Sequence, residues 1–110
     1  MSVVVSDASP LIALSAVSLL DLPSTLYGTI HIPEAVYEEV VVRGQGRPGS
    51  LEVAGAEWII RHNVADQQAV AQLRNLSGLD EGESEAIILA GSSNASLIIL
   101  DDRDARRMPK

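Results

Sequence analysis

"VVVSDASPLIAL", residues 3–14, sets a β-branched run against a helix-like apolar pattern, with one carboxylate between them. Residues 3–5 are too few for a helix, and an unbroken β-branched run suits a strand buried on both faces of a parallel sheet. Ser9 and Pro10 then look like an N-cap and a first helical residue. They open "PLIALSAVSLLDL", residues 10–22, where Leu11, Ile12, Leu14 and Leu19 recur at helical spacing until Pro23 ends the segment. Asp7 therefore falls at the carboxyl end of a strand.

The same grammar repeats outward from this stretch. "GTIHIP" (28–33) reads as a second strand, and Pro33 starts a helix, "PEAVYEEVVV" (33–42), that runs out in the loop "RGQGRPGS" (43–50). "EWIIRHNV" (57–64) is a third strand, "DQQAVAQLRNLS" (66–77) a helix closed by Gly78, and "EGESEAIILAG" (81–91) a helix closed by Gly91. "SLIILDD" (96–102) returns to an aliphatic strand ending in acids, followed by the charged "RDARR" (103–107). Alternating strands and helices predict an α/β fold with a parallel sheet covered by helices. In such sheets ligands sit at the carboxyl ends of the strands. Asp7 after the first strand, and Asp101 with Asp102 after the last, are thereby directed to one edge.

Composition narrows the function classes. At 110 residues, with 46% apolar side chains but only one Trp and two Tyr, the chain predicts a single domain, 1–110, with an aliphatic core. Fifteen acidic against eight basic residues give a net charge of −7, which argues against a protein that holds nucleic acid by surface charge alone. The absence of cysteine removes disulfides, thiolate metal sites and cysteine nucleophiles. No stretch has the length of a membrane span and no basic region precedes the first apolar run, so a cytoplasmic protein without a membrane partner is expected.

Each acid also has a bland explanation. Asp7 suits an Asx turn ahead of a helix. Asp80 with Glu83 makes a capping box, and Asp101 or Asp102 suits the start of a final helix. Glu38 and Glu39 flank the face formed by Val36, Tyr37 and Val40 about equally, so helical geometry singles out neither. His31 and His62 have no ligand-spaced partner and read as core or edge residues, and Trp58 reads as core. Arg103, Arg106 and Arg107 suit a solvated helix face better than a phosphate site. Caps do not explain the joint arrangement, however. Carboxylates gathered together repel one another unless a cation neutralises them, and a hard divalent ion such as Mg²⁺ fits oxygen donors, keeps much of its water and recruits phosphate oxygens.

Four segments carry a family resemblance: "VVSDASPLIAL" (4–14), "IPEAVYEEV" (32–40), "LDEGESEAIILA" (79–90) and "LIILDDRDARR" (97–107). In this order they resemble PIN-domain proteins, specifically the VapC-like toxin branch of toxin–antitoxin pairs, over nearly the whole chain. The resemblance implies a three-layer α/β/α fold with a mostly parallel sheet. It also implies an endoribonuclease dependent on Mg²⁺ or Mn²⁺, an RNA substrate, a cognate antitoxin and a homodimer. Carried over residue by residue, the first acid matches Asp7, with Ser9 as the small hydroxyl residue after it. The second matches Glu39, because Val40 follows. The third matches Glu83, above a helical face of Ala86, Ile87 and Ala90, with Glu85 as a nearby competitor. The fourth matches Asp102 or Asp101. Relatives usually continue with a further helix and edge strand where this chain ends in "RRMPK", so the domain is expected to lack them. The alternative expectation is a shortened, catalytically silent PIN-like interaction module. A phosphorylated receiver-like domain fares worse, since no suitable Lys follows the last strand.

Overall fold

Residues 3–100 are described by a computed structural model. Its four strands, β1 (Val4–Ser6), β2 (Ile30–Pro33), β3 (Ile59–His62) and β4 (Leu97–Ile99), form one sheet in the order β3-β2-β1-β4. All three pairings are parallel, with Val5 opposite His31, Val5 opposite Ile98, and Ile30 opposite Ile59. Parallel strands need crossovers, and the helices supply them: α1 (Ala8–Ala16), α2 (Leu22–Tyr27), α3 (Glu34–Tyr37), α4 (Ser50–Ala54), α5 (Gln67–Ser77) and α6 (Glu81–Ser92). This is the expected PIN-like α/β/α arrangement. Among the described residues no helix is long and apolar enough to cross a membrane.

The order of strands decides which helices cover which face. From β1 through β2 to β3 the chain steps in one direction, and from β3 to β4 it returns past β1, so right-handed crossovers put the two sets of helices on opposite faces. Two cores result. Val4, Ile30, Ile32 and Ile59 pack with Leu11, Val36, Val40 and Val53 on one face, whereas Val5 packs with Val70, Ala86 and Leu89 on the other. The reversal of direction lies between β1 and β4, the position at which open α/β sheets form a ligand crevice at their carboxyl ends.

Several boundaries differ from expectation. Asp7, not Ser9, is the N-cap of α1, so Ser9 and Pro10 lie inside its first turn. The helix expected over residues 10–22 stops at Ala16, the chain turns where Ser18 takes a left-handed φ of 62°, and a second helix starts at Leu22. Pro23 sits in the first turn of α2 and does not end a helix, a position where its missing N–H is no loss. Residues 38–42, expected as ordinary helix, form a π turn closed by the Arg43 N–H on the Glu38 carbonyl at 2.8 Å. The loop after it leads into α4, which periodicity did not reveal because the helix is only five residues long. Gly91 does not close α6: the helix continues to Ser92, and Asn94 takes the left-handed conformation at φ 55°. Gly78, at φ 74°, does close α5.

Candidate functional site

Asp7 follows directly from the first strand. β1 is buried along its length and ends in Asp7, which is itself 2% exposed and extended (φ −81°, ψ 175°). Its N–H donates to the Ile99 carbonyl at 3.0 Å, which fixes it beside the end of β4. Although Asp7 occupies the N-cap position, its side chain makes no capping hydrogen bond to α1. The turn-and-cap explanation of this carboxylate therefore lacks the bond it requires. Ser9 is half-buried in the first turn of α1. Asp101 and Asp102, the candidates after β4, lie outside the described residues, as do Arg103, Arg106 and Arg107.

The amino end of α6 comes to the same end of the sheet. After α6, the Ser96 N–H bonds the Val3 carbonyl at 2.9 Å, so the helix exits at the amino end of β1 and must begin at the carboxyl end. Asp80 caps it, its Oδ1 accepting the Glu83 N–H at 2.8 Å. Glu83 lies in the first turn and is 4% exposed, where the helix dipole favours a carboxylate. Gly82 lies beside it. A Cβ there would stand 3.1 Å from Glu39 Oε1 and 3.7 Å from Asp80 Oδ1, so the absence of a side chain lets the Glu39 carboxylate reach the first turn of α6. Glu39 comes from the π turn and is half-buried, whereas Glu38 is exposed. Glu85 is also buried, but its two oxygens are engaged: Oε1 accepts the Ala35 N–H at 3.2 Å and Oε2 accepts from Gln67 Nε2 at 2.9 Å.

Asp7, Glu39 and Glu83 thus gather at one end of the sheet. Among the described residues no group of three or more His, Asp or Glu side chains closes tightly enough to hold an ion by itself. The donor chemistry nevertheless fits a hard divalent cation. The donors are carboxylate oxygens of one sign, and an ion of the Mg²⁺ type keeps several waters and takes only one or two protein carboxylates together with substrate phosphates.

The histidines and Arg61 have partners that no sequence spacing revealed. His31 Nδ1 lies 2.7 Å from His62 Nε2, across the β2–β3 pairing. Burial, and after it the neighbouring His62, pushes the His31 pKa below its ordinary 6.5. Arg61 binds Glu34 through two nitrogens, at 3.0 and 2.8 Å, and lies 3.6 Å over the Tyr37 ring. The hydrogen bond to Glu34, more than any other cause, raises its pKa. Strand parity was the available signal, because the register that pairs Pro33 with His62 puts His31 and His62 on one face. Trp58 is half-buried against the core of the first face.

A search for similar curated proteins gives no match. A family model described as a PIN domain matches residues 3–110.

Proposed function

The chain belongs to the PIN-domain family, and from that premise we propose that it is a metal-dependent endoribonuclease acting as the toxin of a toxin–antitoxin pair. PIN domains are generally nucleases and typically use divalent metal ions. The observation that carries the proposal is Asp7: a buried carboxylate at the switch point of a parallel sheet that does not cap the helix it precedes. Asp7, Glu39, Glu83 and Asp102 are the residues proposed to hold Mg²⁺ or Mn²⁺, with Asp101, Glu85 and Ser9 as second choices. A bound ion would supply Lewis acidity for water attack on phosphorus and offset charge on the phosphodiester. The hydrogen bond from the Asp7 N–H to β4 and the close approach of Glu39 at Gly82 support the assignment of these two carboxylates to one end of the sheet. In the overall reaction water adds to phosphorus, one bridging P–O bond breaks, and the departing oxygen takes up a proton. The toxin role, the antitoxin partner and the homodimer rest on the resemblance of the four sequence segments to VapC-like toxins, and the proposed cytoplasmic location rests on the sequence pattern alone.

Cleavage of a mixed RNA pool in Mg²⁺ or Mn²⁺ tests this, with melting curves alongside. Asp7→Asn is expected to lose cleavage by at least a hundredfold, of order 3 kcal/mol in transition-state stabilisation. Its melting temperature should be unchanged or raised, because one like charge has been removed. Equal cleavage by wild type and Asp7→Asn sinks the proposed site. Cooperative melting without cleavage in either protein would leave the silent interaction module as the better account.

A further inference from the structure

A net charge of −7 opposes the approach of RNA, whose backbone is itself a dense line of negative charge. A nuclease of this composition needs cations placed locally, next to the reacting phosphate. Four arginines are available among the described residues: Arg43, Arg47, Arg61 and Arg74. Arg61 is committed to Glu34 and Tyr37. Arg74 lies in the last turn of α5 and lines a separate hollow with Ala71, Asn75, Gly78 and Leu79. Arg43 and Arg47 differ from both. They are exposed, form no ion pair among the described residues, and line with Glu39 a hollow of about 270 Å³ whose remaining wall includes Ile12, Gly44 and Pro48.

The loop that carries them is built to stay in place. Arg43 is tied by its N–H to the Glu38 carbonyl as the last bond of the π turn. Gly44 packs so closely that a Cβ would fall 2.4 Å from the Val40 carbonyl oxygen, so no other residue fits without a shift of backbone. The Arg47 N–H closes a turn onto the Gly44 carbonyl at 2.9 Å, and Ser50 Oγ donates to the Val41 carbonyl at 2.8 Å. Gly49, at φ +100°, brings the chain back against Val40 and Ile12. Two guanidinium groups are thereby carried on an anchored loop at the mouth of a hollow that includes one of the candidate acids. Guanidinium offers paired donors that match phosphate oxygens.

We propose that Arg43 and Arg47 form a phosphate-binding subsite that positions the RNA strand beside Glu39, by taking the phosphates that flank the scissile one. The subsite rests on the nuclease reading of the adjoining acids, and the two can be tested apart. Binding of a fluorescent single-stranded RNA oligonucleotide is followed by anisotropy in EDTA over a KCl series. Cleavage of the same RNA in Mn²⁺ gives KM and kcat. For Arg43→Gln/Arg47→Gln the dependence of log Kd on log salt should flatten by roughly 1.4, the expectation for two lost single-strand phosphate contacts. KM should rise by roughly tenfold with kcat little changed, since flanking contacts bind ground state and transition state alike. Arg74→Gln should change neither quantity. An unchanged salt slope and KM in the double variant overturns the subsite even if wild type cleaves RNA. Absence of RNA binding by wild type overturns it as well. Arginine-dependent binding without cleavage in any metal supports the subsite and removes the nuclease reading alone.

Discussion

At the carboxyl end of the sheet, the acidic side chains around β2 and β3 and those around β1 and α6 have different neighbours. Around β2 and β3 the acids meet donors one for one: Glu85 takes Ala35 and Gln67, and Glu34 takes two nitrogens of Arg61. At the first turn of α6, the carboxylates of Glu39 and Asp80 both approach Gly82. Asp7 and Glu83 are 2% and 4% exposed, and Gly82 lies between Glu39 and Asp80. An acid with its donors beside it serves the fold, and its removal leaves those donors unsatisfied. Carboxylates that stand close together repel one another, and the proposed cation would offset that repulsion.

The substitution most damaging to stability should therefore fall on a buried acid whose donors stand beside it. Glu85→Ala strips the Ala35 N–H and Gln67 of their acceptor in a buried setting, and should cost about 1–3 kcal/mol in urea denaturation. If Glu85→Ala melts like wild type while Asp7→Asn is strongly destabilised, the contrast between the two sets of acids is wrong.

Acidification gives a smaller effect. His31 has a pKa below 6.5 in the folded chain, from burial first and His62 second, so the unfolded chain takes up its proton first as pH falls. Stability should be complete above 6.5, decline as pH drops through that value, and level off once His31 is protonated in the folded state too. Melting temperatures over a pH series for wild type and His31→Asn check this. Parallel curves would remove the His31–His62 contact from the account and narrow the contrast to acids alone.

The smallest effect is expected at Arg61. Its side chain is 48% exposed and that of Glu34 35%, so Arg61→Ala should cost at most about 1 kcal/mol, and less as salt is raised. A larger, salt-sensitive loss would show that electrostatics, not strand pairing, holds β3 at the edge of the sheet.

Much of the fold was legible because it depends on short-range signals. A β-branched run without polar alternation marks a strand buried on both faces, which β1 is. Gly78 closes α5 and Asp80 opens α6, where a left-handed glycine and an N-cap oxygen were expected. The structure departs from these signals where two of them compete. Apolar spacing ran on past residue 16, but Ser18 turned left-handed and Pro23 opened a new helix. Gly91 had the residue type of a helix stop, yet the left-handed position fell to Asn94.

The alternation of strands and helices, and with it the placing of Asp7 at a strand's carboxyl end, is already written in the chain, because hydrophobic period, caps and chain direction are properties of neighbours along it. Which acid of each close pair faces which neighbour is set in three dimensions. The π turn sends Glu39 toward α6 and leaves Glu38 in solvent. Residues two apart on a helix point to different sides, so Glu85 bonds α3 and α5 while Glu83 stays in the capped first turn. Strand register likewise brought His31 to His62, and the packed glycines brought Arg43 and Arg47 to the Glu39 hollow. These outcomes depend on the angular setting of one element against another, which is fixed by packing between residues distant in sequence and carries no local signature.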